Sequence, residues 1–261
     1  MNPTTAMPEG FWGAVTSTVD WCEPNYVHSV YVAEWFNTLS CIPMVIIGVA
    51  GWMLHTRQEL RVRLAFLSIT VIGLGSVAFH GTLKASSQAL DELPMLWSAL
   101  IVLFILIERG PQRRHGRKLP LALLALGVGV TTGYALLEGP SRFALFISAF
   151  AGAEILCFIL GLPLYRSIHE PTFRNTFRLG VTLHAVALTG WLIDTHACAV
   201  VSHLPGGLPN PQLHAWWHVL VASGIYLLYV VLAYVRADIT GRSPRIARAA
   251  GLVPYVRVAA P

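Results

Sequence analysis

The chain has neither a long apolar run nor any Lys or Arg as far as Glu34 and then alternates long apolar runs with short polar breaks. The runs cover residues 35–54, 64–83, 89–107, 119–137, 143–165, 179–201 and 213–235. Each is close to the roughly 20 residues that a helix needs to cross a bilayer core. Seven membrane-spanning helices are therefore predicted. The third run is the shortest, because Asp91 and Glu92 precede an apolar part that begins only at Leu93. Short loops join the runs. The one between the last two, Ser202 to Gln212, holds Pro205, Gly206, Gly207, Pro209 and Pro211 and reads as a break between helices. After Arg236 the chain is basic and contains proline, and a mobile tail is expected there.

Composition agrees with this pattern. Of 261 residues, 55% are hydrophobic and only 12% charged, a balance rarely found in a water-soluble domain of this size. The predicted fold class is all-α, an integral membrane bundle of seven transmembrane helices. It forms a single domain over 1–261, with a pre-membrane acidic segment at 1–34 and a basic tail at 236–261. With the N-terminus outside or lumenal and the C-terminus cytosolic, 16 of the 18 Lys and Arg residues fall inside, leaving only Lys84 and Arg142 outside. That asymmetry orients the bundle and favours an odd number of spans. The basic balance thus reflects topology, with no nucleic acid partner expected. No basic stretch followed by an apolar core opens the chain, so no cleavable signal peptide is expected.

Candidate chemistry gathers at one end of the bundle. The last span opens with His214, Ala215, Trp216, Trp217 and His218. Histidines at i and i+4 share a helix face and can offer two nitrogens to one metal ion. His80 closes the second span, one turn after Ser76, and Asp91 opens the third. The topology brings these residues from three spans to similar depth, with His80 and His214 within roughly 6 Å of their helix ends. Ionisable groups inside spans are costly and mark function more often than packing. Three neutral imidazoles leave one tetrahedral position on zinc for water, whose pKa falls to about 7 there. Asp91, favoured as a carboxylate by a helix N-terminus, is placed to take a proton or to hold an imidazole in one tautomer. Ser76 is placed to donate to an oxyanion.

Other readings carry less. Histidines at i and i+4 cannot lie on opposite sides of one haem iron. Lys84 and Lys118 are the only lysines, and neither sits mid-span to bind retinal. Polar residues grouped at one end rather than at the midplane disfavour a transporter. His184 reads as a packed histidine. Asp194 reads as a helix-end carboxylate or a partner to the site. Glu154, the one acid well inside a span, is expected to bond a hydroxyl across the bundle. Cys41 and Cys157 read as small apolar residues. Cys22 and Cys198 fall on the outer side, where they are either bridged or free thiols. Asp20, Glu23, Asn25 and Glu34, with the Trp21 carbonyl, supply hard oxygens that suit calcium, although spacing alone favours a solvated acidic loop.

The run from Gly10 to Thr38, GFWGAVTSTVDWCEPNYVHSVYVAEWFNT, resembles the N-terminal signature of the alkaline ceramidases, seven-span hydrolases that cleave the amide of ceramides. The likeness continues through SVAFH (76–80), LDELPM (90–95), WLID (191–194) and HAWWH (214–218). The histidine pattern alone is shared with the wider superfamily that includes adiponectin-type receptors. The resemblance implies zinc held by His80, His214 and His218, with Asp91 activating the bound water and Ser76 steadying the oxyanion. It also implies a regulatory calcium ion on Asp20, the Trp21 carbonyl, Glu23, Asn25 and Glu34, and a disulfide between Cys22 and Cys198. The expected substrate is ceramide reaching the site from the bilayer. The expected location is an endoplasmic reticulum or Golgi membrane in a eukaryote, or the cytoplasmic membrane in a bacterium. The alternative is a ligand-sensing receptor with a mainly structural zinc.

Overall fold

The computed structural model describes residues 10–258 apart from Arg113. The first nine residues, Arg113 of the basic loop and the last three residues of the tail therefore lie outside the described residues. Seven helices are long and apolar enough to cross a membrane. The first, Trp35–Leu54, is divided into α1 (Trp35–Ser40) and α2 (Ile42–Leu54). The break falls at Cys41, two residues before Pro43, whose ring removes an N–H donor from the helix. The others are α3 (Leu60–Thr82), α4 (Ala85–Ile107), α5 (Lys118–Leu136), α6 (Gly139–Ser167), α7 (Pro171–His196) and α9 (Leu213–Ile239), with a single turn, α8 (Cys198–Val201), after α7.

Several helices outrun their apolar windows because polar residues at their ends find partners. Helix α7 begins eight residues before the apolar run. Pro171 fits its first turn, and the Glu170 carboxylate accepts from the Thr172 and Phe173 N–H groups. Arg174 and Arg178, within this extension, donate to the Tyr165 hydroxyl. Helix α4 likewise starts at Ala85, before the expected boundary, and buries Ser87, Gln88, Asp91 and Glu92. The shortest span predicted is thus a full 23-residue helix.

Helix α9 is the centre of the bundle. It packs on α1, α2, α3 and α7, and 67% of its spanning window is buried, against 11% for α6. Helices α7 and α9 approach closely where Gly180 and Gly224 face each other: a Cβ on Gly224 would lie 2.9 Å from the Gly180 carbonyl. Helix α4 joins α3 on one side to α5 and α6 on the other. The tail expected to be mobile is folded. Strands β1 (Arg245–Ala249) and β2 (Val253–Arg257) form an antiparallel hairpin whose Val256 and Val258 are buried. It docks through two hydrogen bonds. Tyr226 Oη donates to the Pro254 carbonyl at 2.8 Å, and the Val256 N–H donates to His55 Nε2 at 3.2 Å. The aromatic and apolar residues of the hairpin supplied too short a run to register as a spanning segment, yet they complete the core beside α9.

Candidate functional site

The site is built where the pre-membrane segment caps the end of α3. A helix leaves its last carbonyls without partners, and here the N-terminal chain supplies them. The Thr16 and Ser17 N–H groups both donate to the Leu83 carbonyl at 3.1 Å, Ala33 donates to Gly81 at 3.0 Å, and Glu34 donates to His80 at 3.0 Å. Leu83 ends the helix in the left-handed conformation, at φ 49°. This register brings the fully buried Glu34 carboxylate 2.5 Å from His80 Nδ1. When Glu34 is ionised, His80 Nδ1 is the donor, and its Nε2 is buried with no hydrogen-bond partner among the described residues.

His218 is oriented in the same way from α1. The Ser40 hydroxyl spends its proton on the Asn37 carbonyl at 2.8 Å, so its oxygen must accept from His218 Nδ1, also at 2.8 Å. That leaves the His218 Nε2 lone pair available. His214, one turn earlier on α9, stacks on Trp21, with ring centres 3.8 Å apart and planes at 20°, and its Nδ1 is buried without a partner. The three imidazoles converge. Ring centres are 4.7 Å apart for His80 and His218, 5.1 Å for His80 and His214, and 4.6 Å for His214 and His218. An ion bound tetrahedrally at about 2.0–2.1 Å from each nitrogen spaces such rings by about 5 Å, so the ring spacing suits a zinc-like ion, but the ligand atoms gathered within 4.8 Å of one another are those of His80, His218 and Cys41, and His214 is not in that group.

Cys41, read from the sequence as a small apolar residue, lies in the wall of this site. Its ligand atom and those of His80 and His218 all fall within 4.8 Å of one another, so this trio could also hold an ion. The thiol donates to the Asn37 carbonyl at 3.0 Å and sits 3.5 Å from His218 Nδ1. It therefore lies on the protonated side of that ring. The break between α1 and α2, which only the fold reveals, places it there.

Ser76 and Asp91 meet across the seam between α3 and α4, where the Ser76 hydroxyl lies close enough to the Asp91 carboxyl and the Cys41 thiol to interact with both. Gly75 permits the approach: a Cβ there would lie 1.9 Å from the Leu90 carbonyl oxygen and 2.9 Å from the Asp91 nitrogen. Pro94 lacks the N–H that would otherwise bond the Leu90 carbonyl in the helix. One expectation is corrected. Asp91 is not at the N-terminus of its helix but near the end of its second turn, because α4 starts at Ala85. The helix dipole falls off within the first turn, so Ser76 is its local support instead. Its neighbour Glu92 points elsewhere, accepting from Gln88 at 2.8 Å and from the Tyr134 hydroxyl at 2.7 Å.

The acidic residues of the pre-membrane segment sit directly beside the histidines. Asn25 Nδ2 donates to both Asp20 oxygens at 3.1 and 3.2 Å, while Asn25 Oδ1 is buried without a partner among the described residues. Glu23 accepts from the Phe36 and Asn37 N–H groups at the start of α1, at 2.7 and 2.9 Å. Glu34 accepts from the Trp21 N–H at 3.1 Å and from the Asn37 amide at 3.3 Å. Burial pushes the Asp20 and Glu23 carboxyls above their usual range despite these hydrogen bonds. Burial also pushes Glu34 up to about 8, with the Asp20 charge adding to the shift. Clustered acids with an orphaned amide oxygen are a donor set suited to a hard cation. The part Glu34 plays for His80 was not visible from spacing. The only signal was its position just ahead of the first span.

Cys22 and Cys198 form a disulfide that clasps the pre-membrane segment to the end of α7. Asp194 is buried and accepts from the Cys22 N–H at 3.2 Å and from the His214 backbone. It is therefore a partner to the site, not merely a helix-end carboxylate. Asn210 Nδ2 donates to the Cys22 carbonyl at 3.0 Å, so the Pro/Gly-rich loop closes over the same end. His184 packs edge-on against Phe158 with ring centres 5.3 Å apart, and its Nδ1 is buried with no hydrogen-bond partner among the described residues.

Comparisons with known proteins identify the family. Residues 13–257 match the family model described as Ceramidase. Alkaline ceramidase of Arabidopsis thaliana is 30% identical over 256 residues, covering 96% of each chain. Alkaline ceramidase 3 of Mus musculus is 34% identical over 261 residues, covering 95% of this chain and 94% of the relative. Alkaline ceramidase YPC1 of Saccharomyces cerevisiae is 32% identical over 259 residues, covering 90% and 81%. With seven candidate spans, three converging imidazoles and a match along nearly its whole length, this chain belongs to the ceramidase family.

Proposed function

We propose that the protein is a multi-pass membrane amidase that hydrolyses ceramide, an N-acyl sphingoid lipid, to a fatty acid and a sphingoid base. The observation that carries this reading is the convergence of the His80, His214 and His218 rings, with His80 Nε2 and His214 Nδ1 buried and without a hydrogen-bond partner among the described residues. The three imidazoles would hold a zinc ion, which when bound supplies a Lewis acid and lowers the pKa of a water to about 7. Glu34 and Ser40 would fix the His80 and His218 rings by accepting from Nδ1, which leaves Nε2 of each ring as the free lone pair.

Asp91 is the general base. It takes a proton as the water oxygen bonds the amide carbonyl carbon, and it returns that proton to the nitrogen as the C–N bond breaks. Ser76 turns its hydroxyl from Asp91 to the carbonyl oxygen as charge develops there. Substrate reaches the site laterally from the bilayer, with the N-terminus outside or lumenal, in an endoplasmic reticulum or Golgi membrane of a eukaryote or the cytoplasmic membrane of a bacterium.

Asp20, the Trp21 carbonyl, Glu23, Asn25 and Glu34 would hold a calcium ion, whose positive charge offsets three crowded carboxylates and keeps Glu34 against His80. Purified protein given a fluorescent ceramide should release fatty acid. His218→Ala should lose both metal and turnover, and Asp91→Ala should lose turnover with metal retained. Bound metal with no turnover of any N-acyl sphingoid lipid would instead identify a receptor on this scaffold. If calcium chelation and Glu34→Ala left turnover unchanged, the calcium assignment would be wrong.

A further inference from the structure

An apolar cavity opens among α4, α6, α7 and α9, lined by Val102, Glu154, Phe158, Phe177, Leu228 and Tyr229 among others. Its α9 wall continues the face that carries His218, since Ile225, Tyr229 and Leu232 follow it at intervals of seven, eleven and fourteen residues. Helix α6 packs on α4 and α5, and α7 packs on α9, so the cavity lies between two packed pairs of helices. A lipid cut at the histidines can therefore lay one hydrocarbon chain into it.

Glu154 is out of place in such a wall. It is the one carboxyl lining the cavity, and it has no hydrogen-bond or ion-pair partner among the described residues. Its polar neighbours are already engaged. Tyr229 Oη pairs with Ser98 Oγ at 2.7 Å, and Cys157 Sγ donates to the Ala99 carbonyl at 3.7 Å. Removing an unpaired acid from water costs several kcal/mol unless a partner arrives. A hydroxyl on the occupant of the cavity would offset that cost by bonding the carboxyl.

Depth narrows the choice. Tyr229 bonds Ser98, seven residues beyond Asp91 on α4, and Ile225 lies seven residues beyond His218 on α9. At about 1.5 Å per residue, the end of the cavity nearest the histidines, where Ile225 lies, is about 10 Å below the reacting carbonyl. An extended chain advances about 1.2 Å per bond, so about eight bonds carry a chain from the scissile carbon into the cavity that Glu154 lines. Hydroxyls next to the amide are too close to reach it.

We propose that Glu154 is a specificity residue that hydrogen-bonds a mid-chain hydroxyl on the hydrocarbon chain of the lipid substrate. The inference rests on the amidase reading and deepens it. The test compares kcat/KM of the wild-type protein for four amide lipids of equal length: unsubstituted, hydroxylated at acyl C2, hydroxylated near acyl C9, and hydroxylated at the matching depth of the sphingoid chain. One of the two mid-chain lipids should exceed the unsubstituted one by roughly fivefold or more, the ratio that one net hydrogen bond supplies. The responding lipid identifies which chain occupies the cavity. Glu154→Leu should bring that ratio to about one, and Glu154→Gln, which can still donate and accept, should restore part of it.

Turnover of the unsubstituted lipid with no mid-chain preference overturns the inference and leaves the amidase reading standing. A preference that survives in Glu154→Leu overturns it as well. If no amide is hydrolysed, the amidase reading fails. Displacement of a fluorescent fatty alcohol by its mid-chain hydroxylated and plain analogues then decides the role of Glu154: stronger displacement by the hydroxylated one supports it, and equal displacement refutes it.

Discussion

Gly75→Ala is the sharpest probe of how this site is held together. The new methyl would sit 1.9 Å from the Leu90 carbonyl oxygen and 2.5 Å from the Leu90 carbonyl carbon, both backbone atoms of α4 that cannot rotate away. Real Cβ contacts stay beyond 3.0 Å, so α3 and α4 must separate locally by about 1 Å. That displacement falls between Ser76 and Asp91, whose side chains meet across the seam. A misplacement of about 1 Å in a reacting constellation costs about 100-fold in rate. Overpacking of this kind also costs about 1–3 kcal/mol of stability. The expected result is a folded variant with a lowered melting temperature and bound metal retained, because His80 lies more than a turn away, but with kcat for ceramide reduced about 100-fold. Gly152→Ala, where a Cβ meets nothing within 4 Å, is the control and should behave as wild type. Wild-type kcat and melting temperature in Gly75→Ala would refute the claim that this approach sets the Ser76–Asp91 geometry.

Further outcomes are expected. Glu34→Ala removes the acceptor for His80 Nδ1, so a chelator competition titration should show metal affinity lower by about 10- to 100-fold. Burial alone would raise the Glu59 pKa, but hydrogen bonds from Arg236 and Arg61 outweigh it and hold the carboxyl below its usual range. A depressed folded-state pKa contributes stability that is present above the unfolded value near 4.5 and lost as pH falls through the folded one. Melting temperature should therefore drop on acidification below about pH 4.5, and Glu59→Gln should lower it at neutral pH while flattening that part of the profile. Reducing the Cys22–Cys198 bridge frees the pre-membrane segment from α7, so the reduced protein should be less stable by about 2–5 kcal/mol in denaturant titrations. Unchanged unfolding after complete reduction would show that the remaining contacts suffice.

The seven spans could be read from the chain because hydropathy over 20 residues is a local property, and a helix crossing lipid must satisfy its own backbone whatever surrounds it. The histidines could be read for a related reason: His214 and His218 share a face by helical period, and His80 shares their depth once the spans are counted. What the chain alone could not settle depends on contacts between distant segments. Glu34 serves His80 because the pre-membrane segment folds back to cap α3. Cys41 enters the site because the first span breaks one residue after Ser40, and Asp91 owes its setting to Gly75 on a neighbouring helix. The folded tail escaped notice because its hairpin is stabilised by His55 and Tyr226, groups far away in sequence. Periodicity and hydropathy report what one segment prefers, whereas a site assembled from unpaired nitrogens and close helix approaches exists only once those segments share the same space.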